Sequence, residues 1–111
     1  KVGAMIATAD PSFNVQMPRI AELAARHHLP SISGFLPFAE DGGMMSYGSD
    51  LSDNFRRAAA YVDKILKGAK PGDLPIEQTT RVGLVINVGT ARALGITIPQ
   101  SLLLRADRII Q

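Results

Sequence analysis

The sequence predicts an α/β fold, a parallel sheet flanked by helices, and two patterns carry that prediction. Short continuous apolar runs, "GAMIATA" at 3–9 and "VGLVINV" at 82–88, have the length and character of strands buried on both faces. Between them lie stretches whose apolar residues recur every three to four positions, as on amphipathic helices. A strand, a helix and a strand in that order make a right-handed βαβ unit with parallel strands, and this places the chain in the α/β class.

The first strand, 3–9, runs into "DPSFN", read as a turn with a break at Asp10-Pro11 and with Asn14 placed as the next helix cap. Over 15–28, Met17, Ile20, Ala21 and Ala24 mark one helical face, and Pro18 is tolerated because it falls in the first turn. "LPSISGF", 29–35, is the second strand. "LPFAEDGG" reads as a loop with a short helical turn, and "GMMSYG", 43–48, as the third strand.

The second helix is the clearest element. Leu51, Phe55, Ala58, Ala59, Val62, Ile65 and Leu66 fall on one face of a 3.6-residue period. Asp50 or Ser49 is its cap, Asp50 and Asp53 stand at capping-box spacing, and Gly68 closes it. "AKPGDLP" is the connection that follows. A fourth strand at 82–88, a short helix at 90–95 closed by Gly95, and a last helical segment entered at Pro99 complete the chain. Nothing in so short a sequence is evidently available to cover the stripe from Leu51 to Leu66. Such a stripe favours self-association, so a dimer or higher oligomer through the 50–67 helix is expected.

Composition narrows the function. With 111 residues there is room for one domain, or one lobe of a larger protein, and 46% hydrophobic content is in the globular range. The net charge is +2, the basic residues are spread and matched by acids, and no basic patch is interleaved with aromatics, so nucleic acid is not an expected partner. The absence of cysteine excludes disulfides, thiolate metal sites and a cysteine nucleophile. No apolar run approaches the roughly 18 residues of a membrane span. The opening "KVGAMIATAD" enters a strand-like run almost at once and reads as a chain that starts mid-fold, with no signal-peptide pattern.

Catalytic patterns are missing as well. There is no phosphate loop, G-x-G-x-x-G or H-E-x-x-H motif. His27 and His28 are adjacent on a helix end and diverge by about 100°, so one metal would not take both. With both histidines there, a Ser-His-Asp arrangement has no base to draw on. The expectation is a protein without enzymatic activity, metal or cofactor.

Two loops carry the candidate site. "ATADPSF", 7–13, follows the first strand, and "SYGSD", 46–50, ends the third. In open parallel sheets ligands settle outside the carboxyl ends of strands. Thr8, Asp10, Ser12, Tyr47 and Asp50 would place hydroxyls, carboxylates and a ring around that edge. Turn and cap roles account for Asp10, Ser12 and Asp50 equally well.

"GGMMSYGSD", "RRAAAYVDKILKGAKPGDLPIEQ", "NVGTARALGITIPQSLLLRAD" and the upstream "LAARHHLPSISGF" together resemble the C-terminal part of the ABC-transporter substrate-binding protein family. That family includes members that bind aromatic amino acids such as tryptophan. Thr79 stands where the family commonly has proline, and Gly83 interrupts the fourth strand. The resemblance implies two α/β lobes of the type I periplasmic-binding class, joined by three crossover segments around a cleft. On that plan 1–46 is a second-lobe βαβ segment. Residues 47–75 are a crossover and a helix that packs on a first lobe, and 76–111 return to the second lobe with C-terminal helices.

The implied function is the solute-binding component of an ABC importer. It would capture a small molecule, an amino acid among the candidates, in the interlobe cleft, close by hinge rotation and deliver it to a permease. The residues matching cleft-facing loops are Thr8, Asp10, Ser12 and Phe13 after the first strand, and Tyr47 and Asp50 at the crossover. A carboxylate suits a ligand ammonium, hydroxyls a ligand carboxylate, and Phe13 or Tyr47 an apolar side chain. The implied location is periplasmic or otherwise extracytoplasmic, with a lipid anchor compatible. A ligand-sensing regulatory or signalling domain of the same architecture is the alternative.

Overall fold

The computed structural model describes residues 2–111 of the chain, so Lys1 of the predicted 1–46 segment lies outside the described residues. Five strands form one sheet: β1 (Met5–Ala7), β2 (Ser31–Ser33), β3 (Met45–Ser49), β4 (Val82–Asn87) and β5 (Arg108–Ile110), in the spatial order β1-β2-β3-β4-β5. β1 with β2, β2 with β3, and β4 with β5 are parallel. β3 and β4 are antiparallel, with Met45 opposite Ile86 and Ser49 opposite Val82. The sheet is therefore mostly parallel. The chain leaves it along β3 and returns beside it along β4.

The helices are α1 (Pro11–Asn14), α2 (Met17–Arg26), α3 (Leu51–Leu66), α4 (Val88–Ala93) and α5 (Gln100–Leu103), with 3-10 turns at Leu36–Ala39 and Pro71–Asp73. α2 lays Met17, Ala21 and Ala24 onto the sheet. Ala7, Met17, Ala21 and Phe38 form the core cluster, with Met5, Ile20 and Phe35 packed against it. Met17 and Phe38 are fully buried, which contributes about 1.5–3 kcal/mol each. Gly43 gives that ring room, because a Cβ on it would stand 2.2 Å from Phe38 Cε1.

The first turn is helical, and Asn14 is not a cap. Pro11 at the start of α1 is already set for helical φ, and Asp10 caps it by accepting from Ser12 N–H at 2.8 Å. Gln16 occupies the cap position of α2 and makes no side-chain cap bond. At α3 the cap is Asp50, whose Oδ1 accepts from Ser52 N–H at 2.9 Å and Asp53 N–H at 3.4 Å. The reciprocal half of the capping box does not form. The Asp53 carboxylate, one methylene shorter than glutamate, binds Arg57 at 3.1 Å and Arg56 at 3.4 Å instead.

The C-terminal segment departs most from the sequence reading. Only one helical turn follows Pro99, and the chain then forms β5 where a helix is expected. Asp107 makes the switch: its N–H donates to Leu84 O at 2.9 Å and its Oδ2 accepts from Leu84 N–H at 2.7 Å. Ile109 then aligns with Ile86. α4 starts two residues earlier than the predicted 90–95, because Asn87 caps it through Thr90 N–H at 2.9 Å, and Gly95 ends it at φ 72°.

α3 stands away from the sheet. None of its residues is buried, and Phe55 and Leu66 are 72% and 82% exposed. The radius of gyration is 17.3 Å, against about 13 Å for a compact chain of this length, and the molecule measures 56 × 31 × 22 Å. What does lie along α3 is the returning segment 69–79, here called the strap. Thr79 Oγ1 donates to Asn54 Oδ1 at 2.8 Å, Arg57 lies 3.5 Å from Glu77, and the Tyr61 hydroxyl donates to Pro75 O. Leu51, Phe55, Val62 and Leu66 lie outside the open groove between helix and strap, whereas Ala58 and Ile65 of the predicted face line it.

Candidate functional site

Because β1, β2 and β3 are adjacent and parallel, their chains all leave the sheet on the same edge. The three exits touch. A Cβ on Gly34 would stand 3.3 Å from Ala9 Cβ, and a Cβ on Gly48 would collide with the Gly34 carbonyl. At position 48 only glycine permits that approach. The loops 7–13 and 46–50, far apart in sequence, are thus brought to one edge, with Gly34-Phe35 between them.

A buried polar frame holds this edge in place. Ser33 Oγ accepts from Phe35 N–H at 3.1 Å, and Ser46 Oγ from Ala39 N–H at 2.8 Å. Asn87 Nδ2 donates to Ala39 O at 3.0 Å, and Thr90 Oγ1 to Gly42 O at 3.0 Å. Ser33, Ser46 and Asn87 are buried, so the segment after β2 is pinned to the sheet by bonds shielded from water.

On the open side stand the predicted residues. Thr8, Asp10 and Ser12 are exposed, and the rings of Phe13 and Tyr47 are 48% and 58% exposed. The Ser12 hydroxyl and N–H hold the Asp10 carboxyl below its ordinary range, so it is an anion at neutral pH. Both cap bonds at Asp50 fall on Oδ1. Asp50 also lines a depression of about 310 Å³ with Leu36, Glu40 and Arg108, where Glu40 and Arg108 pair at 2.6 Å. Thr8, Asp10, Ser12, Phe13 and Tyr47 do not line it. The edge therefore brings the two loops together through their backbones, while Asp50 lines a depression of its own.

Two features of this edge were not read from the sequence. The β2 exit at Gly34 obeys the same strand-end rule as its neighbours, and the "SG" at 33–34 was its signal. Asn14, expected as a cap, instead holds a buried Oδ1 with no hydrogen-bond partner among the described residues.

Parallel strands ending at an open edge, with polar loops and exposed rings beside an outstanding helix, define an α/β module of the mostly parallel class. The chain belongs to the ABC transporter substrate binding protein family, which matches residues 1–110. It is similar to the structure of a conserved domain protein from Vibrio cholerae, with 30% identity and a TM-score of 0.89 over 96% of this chain and 36% of that one. It is also similar to an ABC domain in complex with L-Trp from Streptococcus pneumoniae, with 31% identity and a TM-score of 0.88 over 99% of this chain and 38% of that one. A ligand-free, open substrate binding protein with adhesive properties from Clostridium difficile shares the fold at 18% identity and a TM-score of 0.65, over 97% of this chain and 36% of that one. No curated protein matches. The chain thus spans 36–38% of the length of these structures.

Proposed function

We propose that this chain contributes one side of the ligand cleft in the solute-binding component of an ABC importer, and that the solute is an amino acid. The observation that carries the reading is the shared edge of β1, β2 and β3, where the exposed loops 7–13 and 46–50 leave the sheet together; on this reading Thr8, Asp10, Ser12, Phe13, Tyr47 and Asp50 face the ligand. Similarity to a domain bound to L-Trp supports the ligand class. Asp10 or Asp50 receives the ligand ammonium, the hydroxyls of Thr8 and Ser12 its carboxylate, and the exposed rings its side chain.

Residues 1–46 and 76–111 form part of one lobe, and 47–75 carry α3 across to a facing lobe that covers its stripe. Binding closes the two lobes, and the closed form passes the solute to a permease on the extracytoplasmic side of the membrane. No bond is made or broken. Without a facing lobe, the stripe is covered by a second copy of the chain.

A thermal-shift screen of the amino acids against the longer protein containing this chain tests the ligand class. Stabilisation by one or a few amino acids is expected. Stabilisation only by sugars, phosphates or metal ions would overturn it.

A further inference from the structure

We draw no further inference here: the strongest candidate, the open groove between α3 and the strap lined by Arg57, Tyr61, Ile65, Leu74 and Ile76, carries nothing because the structure does not show what covers it.

Discussion

The Thr79 hydroxyl donates to the side-chain oxygen of Asn54 at 2.8 Å, joining the returning strap to the first turn of the helix that left the sheet. Thr79→Val removes the bond while keeping the shape, and should cost about 0.5–1.5 kcal/mol of local stability. Hydrogen exchange should accelerate along the strap and the first half of α3, and not in β1 or β2. Uniform protection across the variant would show that the strap is held by its other contacts.

Asn87 serves two segments at once, capping α4 through Thr90 N–H and binding Ala39 O behind the β2 exit. Asn87→Ala loses a cap, about 1 kcal/mol, and leaves a buried carbonyl unpaired, about 1–3 kcal/mol more. Urea denaturation should show a loss of roughly 2–4 kcal/mol, large beside the total stability of a small domain. A loss below about 1 kcal/mol would mean water replaces the amide at Ala39.

Two carboxyls respond to pH in opposite senses. Asp10 is held below its ordinary range by the Ser12 hydroxyl and N–H. Its contribution is present above the unfolded value and lost as pH falls through the lower folded value. Ser12→Ala should raise the Asp10 pKa, as read by carbon NMR, and α1 should fray at a higher pH. Asp41 is pushed up, first by partial burial and then by the neighbouring Glu40. The folded chain holds that proton more tightly, so stability declines as pH rises from the unfolded value to the folded one. Asp41→Asn should melt slightly higher at pH 7 and no higher below about pH 3, where carboxyls are protonated in both states.

The apolar stripe makes a prediction about assembly. Leu51, Phe55, Val62 and Leu66 are each between 47% and 82% exposed on one helix. Covering each contributes on the order of 1 kcal/mol or more, so the chain alone should sediment as a dimer or higher oligomer at micromolar concentration. Replacing Phe55 and Val62 by Asp should give a monomer. A native-sequence monomer would show that the stripe tolerates water.

The course of the chain through β1, α2, β2 and β3 was legible because local signals suffice there: short apolar runs, a helical period, and proline in a first turn. α3 was legible for the same reason, with most of its stripe exposed as expected; of the two caps the sequence offered, Asp50 is the one used, without the reciprocal bond. β5 was not, because "RADRII" is too short to show a period and becomes a strand only by meeting β4 across Asp107 and Leu84. The antiparallel pairing of β3 with β4 was hidden too, being fixed by a return path rather than by either strand. At the candidate edge, the loops after β1 and β3 were found from the strand-end rule. Gly34 was passed over because its importance is steric, set by Ala9 and Gly48, and no side chain announces it.

The most direct test of the central claim is calorimetric titration of the amino acid selected by the thermal-shift screen, into this chain and into the longer protein containing it. One side of a cleft should bind no tighter than about 0.1 mM, against roughly micromolar for the whole, a gap of about 2.7 kcal/mol. Asp50→Asn in the longer protein should keep its melting temperature, since Asn caps well, and lose about 1.5–3 kcal/mol of affinity. Equal affinity of this chain and the longer protein, or an Asp50→Asn protein that binds as the parent does, would contradict the account.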